Sequence, residues 1–451
     1  MGNKHCDVRE VNTMAILQKN LEFDTLKING GYSSDAHARS VNVPIYQSAA
    51  FEFGDEARGE RLFTNRELGF LYSRVGNPTV DALEQRIAAL HGANAAISFA
   101  SGMAAITNTL LQVGIGGSIL TSYHLYGGTV DSFKKVYKDY GIRIDFSKNI
   151  YDPAKLEEDI KEDTKAIYVE TVSNPTTDVA DLEALADLAH KHNIPLIVDN
   201  TLLTPYLLNP IEYGADIVIY SATKNLSGHG NVVAGIVVEK GGFDWQNGKF
   251  PAFTEKYYTL RDVENGDVER SFPEVFPGFP FTARLRLVGL NFFGAKLSAF
   301  EAYLVILGLD TLSERIRKQQ ENLTDLVDFL KSNEHIAWVN YPTLEGNPNK
   351  QLAEKYLKKG AGNIFSFAVK GTTEQKNRFL DSLTLFHFHV NIGDVRSLIV
   401  NSPQTTHSEL DGDERVKADL SENLIRVSVG LEDSKDLIED LRTSLEQVFG
   451  S

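Results

Sequence analysis

Residues 197–235 read IVDNTLLTPYLLNPIEYGADIVIYSATKNLSGHGNVVAG, and the fold turns on how this stretch is read. Two short apolar runs, rich in β-branched residues, end in Asp199 and in Ser221-Ala222-Thr223-Lys224. Short apolar runs closed by polar turns are the pattern of strands buried on both faces of a parallel sheet. Such a sheet presents its ligand site at the carboxyl ends of its strands, which would bring an acid and a lysine to one crevice. A lysine able to form an imine, hydroxyls able to hold a phosphate and an acid able to pair with a pyridinium nitrogen suit a pyridine cofactor. Taken alone, the pair reads equally well as two solvated strand-end charges. The rest of the chain decides between the two.

From about residue 70 to 240, strand-like and helix-like pieces alternate, the sign of an α/β parallel sheet. Asn77-Pro78-Thr79 opens an amphipathic helix, and Ala95–Phe99 reads as a strand feeding a helix that starts at Ser101-Gly102-Met103. Strands are expected at Ser118–Ser122, Lys165–Glu170 and Leu196–Asp199, with a helix over Asp181–His192. Asp152-Pro153 reads as a cap and first-turn proline opening the helix AKLEEDIKE. Residues 1–70 lack periodicity and read as an arm that packs on a neighbouring subunit, with Val43–Gln47 extended ahead of and around Pro44. Residues 71–300 form the large domain. Its insertion, 241–282, carries Trp245, Tyr257, Tyr258, a run of phenylalanines and four prolines. Long loops of this kind are covers or interface pieces, unless their aromatics only anchor them to the core. Helical periodicity over Phe300–Lys331 leads into a smaller α+β domain, residues 301–451, with strands expected at Ile364–Val369, Phe386–Val390 and Leu424–Val429.

Composition bounds the function. The chain has 451 residues, 42% hydrophobic and 24% charged, enough for a large core. A net charge of −16 argues against nonspecific binding to nucleic acid or anionic membrane, which needs clustered Lys and Arg. The single cysteine, Cys6, excludes an intrachain disulfide framework and reads as an inert arm residue. The polar start MGNKHCDVRE has no apolar leader core, and no apolar run reaches membrane-spanning length, so a cytoplasmic setting is expected. His387 and His389 share a strand face without a third ligand, so no metal site is expected.

Five further pieces converge on Asp199 and Lys224. Ser101-Gly102-Met103 sits at a strand-to-helix junction, where backbone N–H groups and the helix dipole favour a phosphate. Tyr72 and Arg74, in Tyr72-Ser73-Arg74-Val75-Gly76-Asn77-Pro78-Thr79, can add a hydroxyl and a guanidinium to it. Tyr126, in Leu125-Tyr126-Gly127-Gly128-Thr129, can stack on an aromatic ring. Asn174, in Glu170-Thr171-Val172-Ser173-Asn174-Pro175-Thr176, follows another strand. Arg426, in Ile425-Arg426-Val427-Ser428-Val429-Gly430, can clamp a substrate carboxylate bidentately.

At these residues the chain resembles the Cys/Met-metabolism family of pyridoxal 5'-phosphate (PLP) enzymes, from about residue 24 to the C-terminus. Within that family, Ile392-Gly393-Asp394-Val395-Arg396-Ser397-Leu398, Thr405-Thr406-His407 and the insertion after Gly242 look most like the O-acetylhomoserine sulfhydrylases. The resemblance implies PLP fold type I, the aspartate-aminotransferase-like α/β architecture with a mostly parallel central sheet. It also implies a PLP-dependent transferase of methionine biosynthesis, performing γ-replacement on O-acetyl-L-homoserine with sulfide or a thiol to give L-homocysteine and acetate. Methionine or cystathionine γ-lyase, cystathionine γ-synthase and a PLP-binding homologue without turnover are the alternatives. Carried over by residue, Lys224 would be the Schiff-base lysine and proton shuttle, and Asp199 would hold the pyridine nitrogen protonated. Tyr126 would stack on the ring and share in catalysis. Gly102, Met103, Ser221 and Thr223 would bind the phosphate, with Thr201 also at the cofactor. Tyr72 and Arg74 would reach the phosphate of the adjacent subunit, implying a dimeric catalytic unit and commonly a tetramer. Asn174, Ser397 and Arg426 would orient the substrate amino acid. The chain departs from the family pattern at Asn29, Asn225, Ala299, Lys318-Gln319 and Asn401; these bear on substrate and thiol-donor choice and remove no core PLP ligand.

Overall fold

The computed structural model describes residues 21–408, 410 and 412–450. Cys6 and the rest of the first twenty residues of the expected arm lie outside them. The fold is α/β, on a seven-stranded, mostly parallel sheet made by β1 (Ala95–Phe99), β2 (Gly117–Thr121), β3 (Ile142–Phe146), β4 (Thr164–Glu170), β5 (Leu196–Asp199), β6 (Ile217–Ser221) and β7 (Gly235–Glu239). A two-stranded ribbon joins β8 (Tyr257–Asp262) to β9 (Val268–Arg270). A second sheet of β10 (Ile336–Asn340), β11 (Ile364–Val369), β12 (Leu398–Val400) and β13 (Ile425–Ser428) is antiparallel throughout, in the order β10-β11-β13-β12.

The chain divides into two compact units. One takes in the chain up to Gln112, Asp216–Ala222 and Val232–Asp310. In it β7 runs antiparallel to both β1 and β6. Every residue of β7 is buried, as the continuous apolar run GIVVE requires. The expected helix is Pro78–His91: the Asn77 side chain accepts from the Thr79 N–H at 3.0 Å, and Pro78 occupies a first-turn position whose N–H has no helical partner. At the other end of that helix, buried His91 donates to the Ile87 carbonyl at 2.7 Å and accepts from the Tyr220 hydroxyl at 2.7 Å. The aromatic insertion folds on this unit as an anchored piece. Trp245 is buried, stacked on Phe253 at 4.3 Å and on Phe281 at 5.2 Å. The Glu239 carboxyl beneath it accepts from the Phe281 and Thr282 N–H groups.

The other unit holds Val113–Ala215, Thr223–Asn231 and the chain from Thr311 onwards. Its strands β5, β4, β2 and β3 pair in parallel in that order, so their carboxyl ends share one edge. The helical periodicity from Phe300 resolves into Ala299–Asp310 and Leu312–Ser332, broken at Thr311.

Two expectations need correction. Asp152 makes no side-chain cap; it is drawn to Lys155 at 2.6 Å, and the helix it was to open ends at Leu156. Phe386–Val390 is not a strand, because only His387 bridges to a neighbour, Leu398, and Phe388 and Val390 project into solvent. The edge positions belong to β10 and β12, which are too short or too exposed to carry a period-two pattern.

Candidate active site

β4 and β5 end in register at Glu170 and Asp199, which puts two carboxyl groups side by side at the edge where a parallel sheet binds its ligand. Asp199 Oδ1 accepts from the Thr201 backbone N–H at 3.0 Å and from its hydroxyl at 2.6 Å, and the Tyr168 hydroxyl lies 3.4 Å from Oδ2. Burial raises the Asp199 pKa, and burial with the Asp199 charge raises that of Glu170 well above the usual range. A cation set against Asp199 would restore its ionised form. Glu170 in turn accepts the Tyr126 N–H at 2.6 Å, fixing the start of the helix Gly127–Lys135. The Tyr126 ring lies over Gly128, where a Cβ would come within 2.6 Å of it.

Lys224 follows β6 in a tight turn. Its Nζ donates to Asn391 Oδ1 at 2.8 Å. Burial, reinforced by the positive charge of Arg426, lowers its pKa to about 8, so about a tenth of the amine is unprotonated at pH 7, far more than for an ordinary lysine. Behind the turn, buried Arg315 donates to the carbonyls of Asn225 at 2.9 Å and Leu226 at 3.3 Å. Gly228 is required here: its φ is +72°, and a Cβ would stand 1.9 Å from Arg315 Nη1. The departing residue Asn225 is itself buried, donating to the Leu202 carbonyl at 2.9 Å.

Arg426 lies on β13, fully enclosed. Nη1 donates to Asn174 Oδ1 at 3.2 Å and Nη2 to the Asn391 carbonyl at 3.1 Å, while Nε has no partner. Its pKa falls to about 10 through burial, and no carboxylate pairs with it among the described residues. A buried guanidinium facing only neutral acceptors is costly unless an anion joins it. The Asn174 carbonyl accepts from His407 Nε2 at 3.0 Å, so His407 Nδ1 accepts from Thr406 Oγ1 at 2.9 Å. Burial holds that imidazole neutral, with a pKa of about 4. Ser397 is committed locally: its hydroxyl donates to Glu432 at 2.8 Å and accepts from the Gly430 N–H at 2.9 Å.

One unit therefore gathers Lys224, Arg426, Asn174, Tyr126, Asp199 and Thr201. Sequence reasoning missed Asn391, Glu170 and Arg315. Asn391 directly precedes the quoted Ile392-Gly393-Asp394 segment, and Glu170 ends a quoted strand, so both had a visible signal. The other unit holds Gly102, Met103 and Ser221. Gly102 begins the helix Gly102–Val113, and a Cβ there would lie 2.7 Å from the Ser221 Cβ, so glycine permits this close approach. Thr223 belongs to the lysine turn, its carbonyl accepting from Ser227 at 3.1 Å. Tyr72 and Arg74 stack as a cation–π pair at 5.1 Å beside a cavity of about 540 Å³, with Tyr46, Asn77 and Lys296 also on its wall. Among the described residues no three His, Cys, Asp or Glu side chains gather as metal ligands, and no helix is long and apolar enough to cross a membrane.

A lysine of lowered basicity and a strand-end aspartate on an α/β sheet, with an enclosed arginine that has no carboxylate partner among the described residues, define a PLP-dependent enzyme acting on an amino acid. The chain belongs to the Cys/Met metabolism PLP-dependent enzymes, whose sequence profile matches residues 24–446. It is 40% identical to Sulfhydrylase FUB7 of Fusarium oxysporum over 95% of this chain and 98% of that protein. It is 39% identical to O-acetyl-L-homoserine sulfhydrylase 1 of Thermus thermophilus over 94% and 100% of the two chains. A crystal structure of a candidate O-acetylhomoserine (thiol)-lyase from Campylobacter jejuni, bearing a pyridoxyl-lysine phosphate, superposes with a TM-score of 0.88. It covers 94% of this chain and all of that one at 36% identity.

Proposed function

We propose that this protein makes L-homocysteine and acetate from O-acetyl-L-homoserine and sulfide, with a thiol as the alternative donor. The observation that carries the reading is the buried Arg426 guanidinium with no carboxylate partner among the described residues, beside a lysine of lowered basicity. The amino-acid ester and the homocysteine product are those in the names of the curated relatives, O-acetyl-L-homoserine sulfhydrylases and a homocysteine synthase.

PLP held at Lys224 would supply an aldehyde carbon for the substrate amine and a pyridine ring that withdraws electrons. Asp199 would keep the ring nitrogen protonated, with Thr201 orienting its carboxylate. Tyr126 would cover the ring face, and Gly102, Met103, Ser221 and Thr223 would hold the phosphate. Arg426 and Asn174 fix the substrate carboxylate, with Ser397 supporting that wall, so that the Cα–H faces Lys224. Lys224 takes the Cα proton and then a Cβ proton. The Cγ–O bond breaks, acetate leaves, and sulfide forms the new Cγ–S bond; Lys224 returns the protons to Cβ and Cα.

The same reading makes residues 1–70 an arm on a neighbouring subunit, 71–300 the PLP-binding domain and 301–451 the small domain. Tyr72 and Arg74 serve the phosphate of the adjacent copy in a dimeric unit, within a tetramer. A cytoplasmic setting fits a biosynthetic enzyme using a reduced sulfur donor.

The test is purified protein given O-acetylhomoserine with and without sulfide. Homocysteine and acetate should appear in equal amounts and only with sulfide, and Lys224→Ala should lose both the turnover and the visible band of lysine-bound cofactor. Release of 2-oxobutyrate and ammonia without any thiol would reassign the protein as a γ-lyase.

A further inference from the structure

We propose that Asn391 is the positioning residue that receives and holds the side chain of Lys224 whenever its amine is free, with Asp394 dictating which way the Asn391 amide points. The proposal rests on the reading of Lys224 as the cofactor-bonding, proton-moving lysine.

The geometry runs in one chain of donors and acceptors. Lys224 Nζ donates to Asn391 Oδ1 at 2.8 Å, and Asn391 Nδ2 donates to Asp394 Oδ2 at 3.4 Å. Asp394 is buried, and its Oδ1 is occupied by the Arg396 backbone N–H at 3.1 Å and by Arg396 Nη1 at 3.0 Å. A carboxylate only accepts, so the Asn391 amide must turn its NH₂ toward Asp394 and its oxygen toward the lysine. An amide oxygen accepts from an amine and, more strongly, from an ammonium. The hold therefore survives each change in the protonation of Lys224 as it moves protons, which a second donor in that place would not allow.

Two further contacts make Asn391 a junction. Its main-chain carbonyl accepts from Arg426 Nη2, so one residue spaces the lysine from the carboxylate-binding arginine. The segment is stitched to the lysine turn by the Val395 N–H donating to the Gly228 carbonyl at 2.9 Å, and by Gly230, where a Cβ would lie 2.3 Å from Asp394 Oδ2. Arg426 is the charge facing the amine, with Asp394 and Arg396 one residue further out.

Two readouts test this. The first needs no substrate: protein stripped of cofactor is mixed with PLP, and the growth of the visible band is followed against pH, reading the free amine directly. Asn391→Asp, which keeps shape and acceptor but adds negative charge, should move the midpoint of that profile upward; Asn391→Ala should move it downward. The second is steady-state kinetics, where Asn391→Ala should lower kcat about 10- to 100-fold with KM for O-acetylhomoserine within about threefold of the parent. Asp394→Asn, which frees the amide to flip, should give a smaller loss of the same kind. An unmoved recombination midpoint in both Asn391 variants, or an unchanged kcat in Asn391→Ala, would overturn the proposal. A parent protein that forms no visible band would overturn the PLP reading itself, whereas a band that responds as expected with a different product would overturn only the assigned reaction.

Discussion

At the scale of single residues, two cations sit close together in a buried place, and their difference in chemistry divides the labour. The Lys224 amine has its basicity cut to about 8 by burial and by Arg426, which suits proton transfer. Arg426 stays charged even at a pKa near 10 and presents a planar fork, which suits a carboxylate. Arg426→Lys should therefore raise KM for the amino-acid substrate about 10- to 100-fold, since a point charge replaces a bidentate grip. Cofactor loading, read by the visible band, should be unaffected. A matched fall in band intensity would mean that Arg426 serves the cofactor instead. Lys224, Asp199 and Arg426 could be singled out in the sequence because each follows, ends or occupies a recognisable strand. Asn391 was passed over although it directly precedes the Ile392-Gly393-Asp394 segment, because its role depends on contact with a lysine 167 residues away.

At the scale of elements, the sequence was most readable where one constraint dominated. The runs AAISF and LIVD are apolar enough that Ala95–Phe99 and Leu196–Asp199 begin and end as expected. The antiparallel sheet was harder, because β10 and β12 are short edges whose pairing is set by distant partners rather than by local pattern. The helix Pro78–His91 shows how an element end acquires a pH dependence. His91 is buried neutral, with its pKa lowered to about 4, whereas an unfolded histidine titrates near 6.5. Between those values the unfolded chain binds the extra proton and the folded one does not, so stability falls as pH falls. Relative to His91→Gln, the parent protein should lose about 2 kcal/mol between pH 7 and pH 5, read from urea unfolding midpoints. Curves that stay parallel across that range would show that His91 accepts its proton in the folded state.

At the scale of the whole molecule, the assembly reading has a direct consequence. Tyr72 and Arg74 stand beside a wide cavity in one compact unit, while the lysine turn belongs to the other. If they serve the phosphate of an adjacent copy, two inactive variants should repair each other. Lys224→Ala and Arg74→Ala chains, co-refolded in equal amounts, should regain about a quarter of parental activity, because half of the dimers are mixed and each holds one intact site. Activity no higher than the sum of the separate variants would place Arg74 outside the neighbour's site.

The contact between Lys224 and Asn391 spans most of the second half of the chain, and this says something about birth rather than turnover. A ribosome adding about 5 to 20 residues per second delivers Asn391 some 10 to 30 s after Lys224, with the strand of Arg426 later still. Until then the lysine is an ordinary cation on a nascent chain. Its altered basicity is acquired late, once the last quarter of the polypeptide has been made. A chain truncated before that point would carry the reactive residue without the surroundings that make it reactive.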